Sequence, residues 1–371
     1  MRGSAFGRLT LGLLLALVVS ACGGSEAEPS AGGTPAAEAP AAGGEEGAAD
    51  ATDEPAEPAG SEESAPEAPE AGGGEMEVVG LALPALSAVH WDVHVAAAEG
   101  IFEDHGIDLQ ITMAPGPAAT IAALSGGSVD VGIAFGDQTI GAMALGAPIK
   151  CIAGENGIVA GEVIGRQDIA GVGDLRGQKV VSSNIDDILT LYMKDALAAE
   201  GLEAGAYDLL IQGSSEQRYQ SLQTGAVAAA TMTAPRSFQA IAEGYPMLVE
   251  IFEPGLMSCH TANETFINDR SDVAQAYVDA IVEAQNWLVD PANRDRAVEI
   301  LVERVEVSTE TAEQTYDLYI GEGIFQAGAP LDEELVLQTL ELLRENGKVF
   351  DEQLDPNEYV DYQFLEAAQQ S

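Results

Sequence analysis

The sequence predicts an α/β fold: a parallel sheet with helices on both faces, followed by a mostly helical region. Three observations predict it. Strand-like and helix-like segments alternate from residue 77 to 233, turn residues punctuate them, and the apolar spacing is helical from residue 272 onward. Residues 77–83 (EVVGLAL) read as a strand, and 89–99 have helical spacing closed by Gly100, a helix C-terminal residue. Residues 107–113 alternate as a strand, 117–124 form a helix stopped by Gly126 and Gly127, and 129–135 are the next strand. Asp137 can cap a helix reaching Leu145, and 148–153 are extended again. After the turn at 173–177 the same grammar repeats: strand 179–182, helix 184–199, strand 207–211, helix 215–223 and strand 228–233. Residues 252–267 read as extended, and helices are expected over 273–288, 297–302, 309–319 and 333–346. Ligands of such sheets collect at the carboxyl ends of the strands.

The first 75 residues belong to a different class. Arg2 and Arg8 precede an apolar run over 9–19, shorter than the about 20 residues a spanning helix needs, which is the pattern of an export signal. Val19-Ser20-Ala21-Cys22 resembles the lipobox of bacterial lipoproteins. That resemblance implies cleavage before Cys22 and diacylation of its thiol, with the chain anchored by lipid on the extracytoplasmic face of the cell membrane. Residues 1–22 are therefore expected to be a lipoprotein signal peptide. Residues 23–75 are expected to be a disordered acidic tether, since 23–74 hold no aromatic residue, Lys or Arg and cannot offset chain entropy by apolar burial.

The chain carries 61 acidic and 15 basic residues. Fourteen of the acids lie between Glu26 and Glu75 and two of the arginines are Arg2 and Arg8, which leaves 47 acids and 13 bases beyond the tether. The excess acid belongs to the folded part itself. It excludes nucleic acid, which needs a basic face, and suits salty surroundings that screen like charges. Cys151 and Cys259 sit in an exported chain that permits disulfides; whether they pair or lie separately as small buried groups stays open.

Four stretches, in order, resemble one family. Residues 96–107 (AAAEGIFEDHGI) look like the "A-x-x-x-G-(I/L/Y)-F-x-x-x-G-(I/L)" stretch of ABC-transporter substrate-binding proteins of the nitrate, sulfonate, taurine and pyrimidine-precursor type. Residues 126–132 (GGSVDVG) resemble their "G-x-(V/L)-D-(V/I)-(G/A)", 174–180 (DLRGQKV) their "D-L-(K/R)-G-K-(K/R)-(V/I)", and 223–230 (QTGAVAAA) their "x-x-G-(Q/A)-(V/I)-D-A-A", with Ala228 where the family carries Asp. The resemblance implies the two-lobed type II periplasmic-binding-protein fold, with two crossing strands near 163–166 and 254–261. Lobe 1 would comprise 76–166 and 257–371, and lobe 2 would be 167–256. It also implies a monomer that captures a small-molecule ligand and delivers it to ABC permease and ATPase subunits, with no cofactor and no catalysis.

Candidate ligand contacts follow from the strand-to-helix turns. Ser87, His90 and Trp91 follow the first strand; Pro115 and Gly116 precede a helix whose N–H groups are free; Asp137 and Gln138 follow the third strand. In the second unit Asn184, Asp186 and Asp187 open a helix, Thr233 and Arg236 follow its last strand, and His260 stands at the second crossing. Asp186 and Asp187 would repel an anion, so with a Trp91 stacking face they favour an aromatic or amine-bearing heterocycle. His90 and His94, an i,i+4 pair, are the candidate metal or consumable histidines of the alternative reading, a pyrimidine-precursor synthase-like enzyme. No second such pair, P-loop or G-x-S-x-G elbow accompanies them, so no metal is assigned. A ligand-sensing receptor module would read identically.

Overall fold

The computed structural model describes residues 76–349 and 354–370. The expected signal segment, lipidated Cys22 and tether lie outside the described residues. Among the described residues no helix is long and apolar enough to cross a membrane.

The chain order is β1 (Glu77–Leu83), α1 (Trp91–Ala98), α2 (Ile101–Asp104), β2 (Ile107–Met113), α3 (Pro117–Ser125), β3 (Val131–Phe135), α4 (Gly136–Ala144) and β4 (Ile149–Gly165). Then come β5 (Lys179–Ser182), α5 (Ile188–Ala199), β6 (Asp208–Ile211), α6 (Ser215–Gln223), β7 (Ala229–Met232), α7 (Arg236–Ala242) and β8 (Met247–Asn263). Helices close the chain: α8 (Glu264–Asp269), α9 (Ser271–Val289), α10 (Arg294–Val305), α11 (Thr309–Tyr319), α12 (Glu333–Glu345) and α13 (Gln363–Ala368).

The eight strands of the described residues form one sheet in the order β2-β1-β3-β8-β4-β7-β5-β6. The outer strands on either side pair in parallel, as expected. The centre does not: β8 runs antiparallel to both β3 and β4, and β4 antiparallel to β7, so the sheet is mixed rather than parallel. The reason is length. The expected strand at 148–153 continues to Gly165, and β4 pairs with β8 along its whole course, from Ile149 opposite Asn263 to Ile164 opposite Met247. Two 17-residue strands thus carry the chain between a β1–β3 side and a β5–β7 side. Their ladder is irregular near the middle, with register shifts between Cys151 and Ile158. Gly154 lies in that stretch, where a Cβ would stand 1.8 Å from the Pro330 carbonyl oxygen, so only glycine lets the loop before α12 close on β4.

The two sides have separate cores. Helices α1, α9, α10, α11 and α12 pack on the β1–β3 side around Trp91, Phe102, Tyr277 and Leu340, whereas Val180, Leu189, Met193, Leu197 and Ile251 fill the other. Cys151 and Cys259 are joined by a disulfide that ties β4 to β8, which resolves the alternative the sequence left open. The helix expected to begin with an Asp137 cap starts instead at Gly136, after Phe135, and Asp137 is buried within its first turn.

Candidate functional site

A cleft of about 460 Å³ opens where strand ends from both sides of the sheet meet. The β1–β3 side contributes the loop after β1 (Pro84, Leu86, Ser87, His90), Pro117 at the start of α3, and Phe135 at the end of β3. Across from them stand residues 213–216, between β6 and α6, and Thr233, Pro235 and Arg236 after β7. Met257 and Ser258 of β8 and Arg304–Glu306 at the end of α10 complete the lining. The volume suits a small organic molecule, and the position at strand carboxyl ends is where α/β sheets place ligands.

Local chemistry fixes these loops. Ser214 caps α6 and forms a capping box with Gln217. Arg218, one turn on, is buried, and its guanidinium donates to the carbonyls of Thr231 (2.6 Å), Gln212 (2.8 Å) and Gly213 (3.0 Å) and to Ser215 Oγ (3.0 Å). Burial holds it down to about 10, opposed by the nearby Asp187 charge. With four of its five N–H donors used, Arg218 serves chiefly as a scaffold for the loop, although it too lines the cleft. Ser215 Oγ also accepts from the Thr233 N–H at 3.2 Å, which joins the two loops of this side. Arg236 is paired with Glu216 at 2.7 Å and donates to Gln239 and to the Val305 carbonyl. Arg304 lines the cleft and has no ion pair or hydrogen bond among the described residues. On the opposite wall His90 Nδ1 meets buried Glu155 at 2.9 Å, and Asn156 donates to Ser258 Oγ at 3.2 Å from behind the floor.

Of the residues singled out from sequence, Ser87, His90, Thr233 and Arg236 line the cleft. Pro115 and Gly116 stop short of it, although Pro117 reaches it. Trp91 is wholly buried: its indole N–H donates to the Ala297 carbonyl at 3.2 Å and its ring meets Tyr316 edge-on, so it offers no stacking face. Asp187 is buried as the cap of α5, accepting from the Thr190 N–H at 2.8 Å and from Ser183 Oγ. Asp186 is exposed, 3.7 Å from Lys348 Nζ, and Asn184 turns its side chain back onto the Ile185 N–H. These placements remove the acid-and-indole basis for a heterocycle. Asp137 and Gln138 lie off the cleft; burial, reinforced by Asp187, pushes the Asp137 carboxyl up to about 7. His260 is also off the cleft, held between Asp92 (3.0 Å) and the Tyr277 hydroxyl (2.9 Å).

His90 and His94 do not converge: His94 turns to the Ser87 carbonyl, and burial, with the neighbouring His90, holds it down to about 4. Sequence reasoning missed Ser215, Ser258 and Arg304. The Ser214–Gln217 capping box announced the first, but no local pattern points to a β8 hydroxyl or to the last turn of a distant helix.

A family model described as NMT1/THI5 like matches residues 87–293, more than half of the chain's 371 residues. The chain belongs to the NMT1/THI5-like family. The matched span takes in His90, Ser215, Thr233 and Ser258 but ends before Arg304. No curated protein sequence matches the chain. Among solved structures it is similar to the alkanesulfonate-binding protein SsuA from Xanthomonas axonopodis pv. citri bound to MOPS, with 15% identity, a TM-score of 0.62, and 77% of this chain and 99% of that one covered. It is similar to the periplasmic nitrate-binding protein NrtA from Synechocystis PCC 6803, with 17% identity, a TM-score of 0.62, and 80% and 89% covered. The desulfurization enzyme DSZB is similar too, at 16% identity, a TM-score of 0.56, and 79% and 99% covered. At such identities the likeness speaks for the fold, which is the type II periplasmic-binding-protein fold.

Proposed function

We propose that this NMT1/THI5-like chain is the extracytoplasmic solute-binding component of an ABC importer, held to the membrane through Cys22. Residues 76–166 with 257–371 form one lobe and 167–256 the other, and the solute passes from the cleft between them to the permease and its ATPase. The observation that carries the reading is the cleft itself, built from strand ends on both sides of the two long central strands. Its serine hydroxyls are engaged in holding loops: Ser87 Oγ accepts from the Val89 N–H, and Ser215 serves Arg218 and Thr233. Among the described residues no cleft hydroxyl is paired with a base, which favours capture over chemistry.

The lining also speaks to the solute. Pro84, Leu86, Val89, Phe135, Pro235 and Met257 make the walls apolar, and Arg304 presents a cation with no ion pair or hydrogen bond among the described residues, beside the Glu306 carboxylate in the same lining. A small organic acid with an apolar body, such as an alkanesulfonate or alkanoate, matches both features. A charge-assisted hydrogen bond from Arg304 contributes about 1.5–3 kcal/mol, equal to roughly 10–150-fold in affinity. Calorimetry with hexanesulfonate, hexanoate, an aminopyrimidine and nitrate is the test. The six-carbon acids bind and weaken at least tenfold in Arg304→Ala; tight binding of the aminopyrimidine, unchanged in Arg304→Ala, overturns the solute class.

A further inference from the structure

Behind His90, away from the solute, α1, β4 and β8 each send one ionisable side chain into the interior. Asp92, Glu155 and His260 are all buried, and one ligand atom from each lies within 4.8 Å of the other two. Every one of them is oriented from outside the group. Tyr277 Oη meets His260 Nδ1 at 2.9 Å, which leaves Nε2 facing Asp92 Oδ2 at 3.0 Å. Gln285 Nε2 donates to Asp92 Oδ2 at 2.8 Å and to the Gly154 carbonyl at 3.0 Å, while the Val93 N–H holds Asp92 Oδ1 at 2.8 Å. His90 takes Glu155 Oε1 at 2.9 Å, and Glu155 Oε2 is left buried with no hydrogen-bond partner.

We propose that Asp92, Glu155 and His260 form a binding site for one divalent metal ion of the zinc class. Three arguments support it. The donor set, one imidazole nitrogen and two carboxylate oxygens, is one zinc accepts, and a histidine or carboxylate fixed by an outer hydrogen bond is how proteins prepare metal ligands. The charges balance: two carboxylates and a neutral imidazole meet a doubly positive ion. The orphaned Glu155 oxygen also acquires a partner, and leaving such a group unpaired in the interior is costly. Donors about 2.1 Å from a tetrahedral ion stand about 3.4 Å apart, so separations between 3.0 and 4.8 Å need only small side-chain adjustments. The ion would pin α1 to both long strands directly behind the cleft wall, and the site stands independently of the solute assignment.

The test uses the full chain, stripped with a chelator and titrated with Co²⁺ and then Zn²⁺. One equivalent of Co²⁺ should give a visible ligand-field spectrum of low-coordinate N/O type, and Zn²⁺ should displace it and raise the melting temperature. Glu155→Gln, which keeps shape but removes a ligand oxygen, should bind at least about 100-fold more weakly, since loss of even an outer-shell partner costs 10–100-fold. Tyr277→Phe, which leaves all three ligands in place, should bind 10–100-fold more weakly and serves if Glu155→Gln does not fold. X-ray absorption of the Zn²⁺ form should show nitrogen and oxygen neighbours only. The proposal is overturned by the absence of stoichiometric uptake, by affinity unchanged in both variants, or by sulfur in the first shell, which Asp92, Glu155 and His260 cannot supply.

Discussion

Asp137→Asn should stabilise the protein, and more so as pH rises. Asp137 sits in the first turn of α4, 1% exposed, with Asp187 of the opposite side raising its proton affinity and Lys348 lowering it. Its carboxyl keeps its proton to about 7 in the folded chain, against an ordinary 3.8. The native state therefore binds the extra proton in that window, and stability that is full below 3.8 is lost as pH climbs through 7. At about 1.4 kcal/mol per tenfold in proton affinity, the loss is about 4 kcal/mol at pH 8 and about 1.5 kcal/mol at pH 5. Asparagine has the same shape and no charge, so the variant recovers these amounts. Glu162, which burial also pushes up to about 7, titrates equally in both proteins and cancels. Scanning calorimetry at the two pH values is the assay. With roughly 2 °C per kcal/mol for a chain of this size, the gain in melting temperature should be about 5 °C larger at pH 8. An equal gain at both pH values, or a loss at pH 8, refutes the reasoning.

Other expectations follow from the same picture. Trp91→Ala should cost about 3–5 kcal/mol in urea denaturation, as for a large core side chain, while the folded fraction keeps its solute affinity; selective loss of affinity would return Trp91 to the cleft. Melting temperature should rise from low to moderate salt, because screening relieves repulsion among the 47 acids beyond the tether, and a flat or falling trend contradicts this. Cys22→Ala should move the protein from washed membranes to the soluble fraction, since stable anchoring takes two acyl chains; mature protein persisting in the membranes refutes the lipobox reading.

The order of strands and helices was largely legible, because apolar period and glycine stops are local signals. Helix 309–319 coincides with α11, and the strand at 77–83 with β1. The mixed sheet was not legible: whether 148–153 ends or runs on to Gly165 depends on β8 arriving more than a hundred residues later to pair with it. The site divided along the same line. Ser87, His90, Thr233 and Arg236, singled out because they stand in the turns after strands, line the cleft. Trp91 and Asp187 also follow strands, but a turn residue can face the core or the cleft, and only packing against Ala297 or the start of α5 decides which. Arg304 reaches the cleft from the last turn of α10 through tertiary docking alone, and nothing near it in the sequence marks it.

The central claim is that a small organic solute is captured between the two sides of the sheet. Native mass spectrometry tests it most directly, on the chain incubated with a mixture of alkanesulfonates, alkanoates, aminopyrimidines and nitrate. Beside it runs a Ser258→Trp variant, whose indole fills the cleft floor. The account predicts a one-to-one adduct with the unaltered chain that disappears in Ser258→Trp, with the variant still folded by circular dichroism. An adduct of equal abundance in both proteins, or none with any member of the mixture, contradicts it.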